Sequence, residues 1–166
     1  EYAPARAFEI SGDVAGYVSR SFRQLGLKPL QGLLDELGDA VFLDSVPRSK
    51  FALRPGHRIQ VERGRLEHHG LLELGTGETA LLALHANGWL HMTTGALLLI
   101  DALDSRVARK WHEKLAMTTL RLAQGRAGAM VILTTRDTRF ADTISDAAVE
   151  LGLACAGANL FNDHTF

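Results

Sequence analysis

Two short runs constrain this chain more than any other feature: ALLLI at 96–100 and AMVILTT at 129–135, the second closing on two threonines. Their cores are apolar at successive positions, so neither face of such a strand offers a polar side to water. Strands of that kind belong in the covered middle of a mostly parallel sheet. Between them, SRVARKWHEKLAMTTLRLA (105–123) places Val107, Trp111, Leu115 and Leu122 on one stripe and reads as a single long amphipathic helix. Before them, LLELGTGETALLALHANGWLHM (71–92) is a glycine-rich turn opening an apolar helix, with Thr76 as the expected N-cap and Thr79 as the alternative. After them, DTRFADTISDAAVELG (137–152) reads as another helix and LACAG (153–157) as a last short strand. Strands alternating with helices predict an α/β fold, a mostly parallel sheet flanked by helices with right-handed crossovers.

The first third follows a different pattern. AGYVSRSFRQLGL sets Val18, Phe22 and Leu25 at helical spacing, with Gly26 as a stop. PLQGLLDELGD predicts a short helix from Pro29 to Gly38. AVFLDSV (40–46) and HRIQVERGRLEHHG (57–70) read as strands, the latter alternating around Ile59 and Val61 and turning at Arg63-Gly64. Residues 1–66 therefore read as an α+β N-terminal region and 67–166 as the α/β lobe, together one compact domain.

At 166 residues, 46% hydrophobic, the chain is long enough for a real core. A formal charge of −1 excludes a bulk electrostatic pull toward nucleic acid or membrane. No apolar run approaches the ~20 residues that a membrane-spanning helix needs. Cys155, the single cysteine, lies in an apolar run and is expected to be a small buried thiol, which fits a reducing, cytoplasmic setting. The chain starts at Glu1 without a methionine or a basic, apolar leader, as a processed product or a fragment would.

Three places carry chemistry. LGTGE (74–78) is a glycine-flanked hydroxyl just before a helix, where exposed amides and the positive helix end suit a phosphate. The plainer reading is a glycine turn with a threonine cap. Asp101 closes ALLLI, and open α/β sheets bind ligands outside the carboxyl ends of their strands. Its plainer role is a cap for the following helix. VILTTRDTRF (131–140) brings Thr134, Thr135, Arg136 and Asp137 to the same edge, with Thr135 or Asp137 as an ordinary cap.

Taken in order, the run from Leu74 resembles the C-terminal lobe of ABC-type ATPases of the RecF/SMC/OLD-like branch, over roughly residues 57–157. LGTGETALLAL looks like the signature motif, ALLLIDALD like the Walker B strand with its D-loop region, and MVILTTRDTRFADTI like the strand that usually ends Thr-Thr-His-Ser. The resemblance implies a P-loop NTPase-like lobe. It also implies that Gly75, Thr76, Gly77 and Glu78 contact the γ-phosphate of ATP held by a partner subunit, and that Asp101 is the Walker B carboxylate near Mg²⁺. The branch spans DNA repair, chromosome organisation and phage defence.

Three departures stand out. No G-x-x-x-x-G-K-[ST] loop exists: EISGDVAG has glycines but no lysine, so the chain should not hold a triphosphate alone. Ala102 replaces the glutamate expected after Asp101, and Arg136 replaces the switch histidine. Loss of a general base typically costs about two to four orders of magnitude in rate. The resemblance so read implies a degenerate, pseudo-ATPase subunit or half that does not hydrolyse ATP alone. It would work as a binding or scaffolding component with a Walker A-bearing subunit or as a homo-oligomer, ATP and Mg²⁺ coming through the partner. Arg136 would offer a cation to a phosphate or to a partner's carboxylate.

A competing reading gathers Glu78, Asp101, Asp104 and Asp137 around Mg²⁺ or Mn²⁺ as a PIN-like nuclease. Against it, residues 1–20 show no strand ending in the essential aspartate. Arg106, Arg109, Lys110, Lys114, Arg121 and Arg126 give the expected helix 104–125 a basic face, a solvated surface by default and a nucleic-acid contact on the sharper reading. Trp111 is expected in the core, and the His68-His69 pair in a solvated turn. His85 and His91, six apart on one helix, should face different sides.

Overall fold

Leu33, Leu34, Leu37, Ala40 and Val41 recur at helical spacing, and in the computed structural model all five are buried on one face of α1 (Leu27–Val41). The structure describes Gly16 and residues 27–43, 49–54, 58–64 and 67–158. It divides into two compact units, Glu1–Asn87 and Gly88–Phe166. The expected helix around Val18, Phe22 and Leu25 lies outside the described residues.

In the first unit α1 packs against β1 (Ser49–Arg54), which pairs antiparallel with β2 (Arg58–Arg63), and β2 pairs antiparallel with β3 (Glu67–Gly70). The hairpin expected at Arg63-Gly64 is present, with Gly64 at φ +69°, a backbone that side-chain-bearing residues rarely adopt. Ile59 and Val61 are buried between half-exposed Gln60 and Glu62, as the alternation predicts. Phe51 is buried and its ring lies 4.8 Å from that of Phe42. Burial of side chains of this size contributes about 1.5–3 kcal/mol each.

Two readings of this region are corrected. Gly38 does not stop the helix: α1 runs on because Ala40 and Val41 continue its buried stripe. For the same reason residues 40–41 are the last turn of a helix, not the start of a strand, and Phe42 and Leu43 follow as loop.

A short 3₁₀ turn, Leu71–Glu73, leads into α2 (Thr76–His91). β3 is paired to β2, and Glu78 in the first turn of α2 is bonded to Arg63.

In the second unit β4 (Leu97–Ile100) and β5 (Met130–Leu133) are parallel, in the register Leu97↔Met130 through Ile100↔Leu133. This is the expected α/β class with parallel pairing. One face of the pair packs through Leu98 and Val131 on Met92, Leu122 and Ala123. The other face is not covered as its composition predicts: Leu97, Leu99, Met130 and Ile132 are 56, 66, 57 and 45% exposed.

The connection between them is also not one helix over 105–123. Two 3₁₀ turns, Leu103–Arg106 and Arg109–Trp111, precede α3 (His112–Arg121). Val107, at φ −127° and ψ 133°, is extended between the turns, so the stripe that starts with it is broken. Leu115 and Leu122 are buried as expected, whereas Trp111 is only half-buried, with the Lys110 ammonium 4.8 Å from its ring. α3 packs against α4 (Thr138–Glu150), His112 meeting Phe140 edge to face at 4.7 Å. Residues 153–158 form no strand, and Cys155 is exposed, because the chain after α4 stays outside the sheet.

Candidate functional site

The turn before α2 is built from its glutamate. Thr79 N–H donates to the Gly75 carbonyl at 2.8 Å, so Gly75 occupies the N-cap position and Thr76 is the first helical residue, a correction to the expected threonine cap. Glu78, three residues on, accepts the Gly75 N–H at 2.9 Å. It also accepts two hydrogen bonds from Nη2 of Arg63, at 2.9 and 2.7 Å, with both side chains partly buried. Five residues earlier the chain does the same thing: Glu73 accepts the Gly70 N–H at 2.8 Å and pairs with His69 at 2.8 Å. The His69 hydrogen bond, then the Gly70 amide, holds the Glu73 carboxyl below the usual carboxylate range. G-x-x-E thus serves twice as the glutamate half of a capping box, the glycine having no side chain to return the bond. His69 is hydrogen-bonded to Glu73 rather than simply solvated, and with His68 it lies on β3 rather than in a turn.

The first turn of α2 still presents amides. Those of Thr76, Gly77 and Glu78 precede the first intrahelical bond, and Thr76 lies at the surface. The Gly75 amide, by contrast, is already taken by Glu78.

The second unit brings Asp101 and Thr134 together. They end adjacent parallel strands, and the Thr134 hydroxyl donates to Oδ1 of Asp101 while accepting the Ala102 N–H at 3.0 Å. Asp101 is therefore tied to the neighbouring strand rather than capping a helix. Ala102 is held at φ 48° and ψ 48°, the only non-glycine residue at positive φ among the described residues. Its carbonyl accepts both the Ser105 hydroxyl at 2.7 Å and the Ser105 N–H at 3.0 Å. The position where the resemblance expects a glutamate is thus a tightly bonded, left-handed bend.

Asp137 takes its plainer role. It is the N-cap of α4, Oδ1 accepting the Arg139 N–H at 3.0 Å, and Oδ2 lies 3.2 Å from Nε of Arg109. Thr135 supports the turn by accepting the Asp137 N–H at 3.0 Å. Beside them lies an open cleft of about 430 Å³, lined by Asp104, Val107, Arg109 and His112 from the segment after β4, and by Arg136, Asp137 and Thr138 from the segment after β5. Arg136 is exposed and Asp104 is partly buried, with Oδ1 shielded from solvent and lacking a hydrogen-bond partner. Two cations, Arg109 and Arg136, and two carboxylates, Asp104 and Asp137, line the cleft together with His112.

The acidic set of the nuclease reading is dispersed in its bonding: Glu78 serves Arg63 and Gly75, and Asp137 serves α4 and Arg109. Among the described residues, no three His, Cys, Asp or Glu side chains come together to hold a metal ion. With helix 104–125 interrupted, Arg109 pairs with Asp137, and Arg126 closes the end of α3 on the carbonyls of Leu122 and Arg121. His85 is buried and His91 exposed, on different sides as expected.

Sequence reasoning missed Arg63. The sequence pattern marked it as a turn residue with Gly64, and nothing in that pattern signals a partner 15 positions away.

No family model and no curated protein matches the chain. Among solved structures, an SMC head domain from Thermotoga maritima is similar over 80% of this chain, at 15% identity and a TM-score of 0.44. The chain spans 44% of that structure's length. No helix among the described residues is long and apolar enough to cross a membrane.

Proposed function

We propose that this chain is a degenerate ABC-type ATPase lobe that binds, rather than hydrolyses, ATP held by a second subunit. The observation that carries the reading is the Asp101–Thr134 bond. It joins Asp101 and Thr134 just past the carboxyl ends of two parallel strands, where open α/β sheets bind ligands, and this supports reading Asp101 as Walker B-like and Thr134–Arg136 as switch-like. The signature-like turn supplies the second element, with the Thr76 and Gly77 amides offered at the start of a 16-residue helix. Arg136, exposed at the cleft, is the cation available to a phosphate or to a partner's carboxylate.

Hydrolysis by this chain alone is not part of the proposal. It lacks the lysine-bearing loop, and Ala102 has no carboxylate to activate water. The purified chain should turn over ATP no faster than buffer. Turnover that disappears in Asp101→Ala would mean that a nucleotide site exists in this chain.

Association is the direct test. Gly77→Asp sets a negative charge where the triphosphate would approach, and should abolish nucleotide-dependent complex formation with a Walker A-bearing subunit or a second copy. Sizing chromatography with and without a non-hydrolysable ATP analogue reads the result. If wild type and variant elute as monomers under every condition, LGTGE is a structural turn only and the proposal falls.

A further inference from the structure

We draw no further inference here: the strongest candidate, the exposed apolar face of the β4–β5 sheet formed by Leu97, Leu99, Met130 and Ile132, carries nothing because nothing in the structure shows what covers it.

Discussion

Arg63 on β2 holds Glu78 in the first turn of α2 through one guanidinium nitrogen and both carboxylate oxygens, at 2.9 and 2.7 Å. The same carboxylate closes the helix end on Gly75. The pair is about one-third exposed on the arginine side and about one-quarter on the glutamate side, so solvent screens part of the attraction. A double-mutant cycle of Arg63→Ala and Glu78→Ala should give a coupling of about 0.5–1 kcal/mol in urea unfolding. Glu78→Ala alone should cost about 1–2 kcal/mol, because it also removes the cap. Strictly additive single variants would mean that the ion pair is incidental.

His85 makes stability depend on pH. It is 3% exposed, its Nε2 has no hydrogen-bond partner, and desolvation pushes its pKa down from 6.5 to about 4. Between those values the unfolded chain takes up a proton that the folded chain refuses. The unfolded state therefore binds more protons, and stability rises with pH in that window. Acidification from pH 7 to 5 should cost on the order of 2 kcal/mol through this group. His85→Leu should remove that part of the slope in urea midpoints measured across the range. An unchanged slope would show that the imidazole titrates normally in the fold.

Gly88 on α2 faces Leu122. A Cβ at this position would lie 2.5 Å from Cδ1 and 3.0 Å from Cδ2 of that buried leucine. Helix propensity alone favours alanine over glycine by about 1 kcal/mol. Overpacking a buried contact costs about 1–3 kcal/mol and should win, because Leu122 is held among Met92 and Ala123. Gly88→Ala should lower the melting temperature, and adding Leu122→Val should recover part of the loss. A rise in melting temperature from Gly88→Ala alone would show that Leu122 has room to rotate away.

Much of this was legible where a local rule acts over a few residues. The Ile59/Val61 alternation, the Arg63-Gly64 turn and the Asp137 cap each depend on neighbours within about four positions. What was not legible depends on distant residues. Gly38 reads as a stop, but Ala40 and Val41 carry the buried stripe past it. The 105–123 stripe has helical spacing, yet Val107 adopts an extended backbone between two 3₁₀ turns. The β4 and β5 runs are apolar throughout, and composition alone does not distinguish a covered face from one left exposed. The Asp101–Thr134 link spans 33 positions and follows from strand pairing, which the sequence implied only as a class of fold.

Ala102 yields the sharpest prediction, because here the usual order of alanine and glycine should reverse. Its backbone sits at φ 48° and ψ 48°, where Cβ crowds the following carbonyl at a cost of about 1–2 kcal/mol. Glycine avoids that cost but gives the unfolded chain more freedom, an opposing effect of about 0.5–1 kcal/mol. The bend itself is fixed by backbone groups, the N–H on Thr134 and the carbonyl on Ser105, which a glycine retains. Ala102→Gly should therefore be as stable as wild type or up to about 1 kcal/mol more stable. Ala102→Val should be clearly less stable, since a β-branched side chain tolerates this region poorly. Urea midpoints of the three proteins read the comparison directly. A glycine variant that loses more than about 1 kcal/mol would show that Ala102 is not held in the left-handed region, since an ordinary backbone there would charge glycine its full entropic cost.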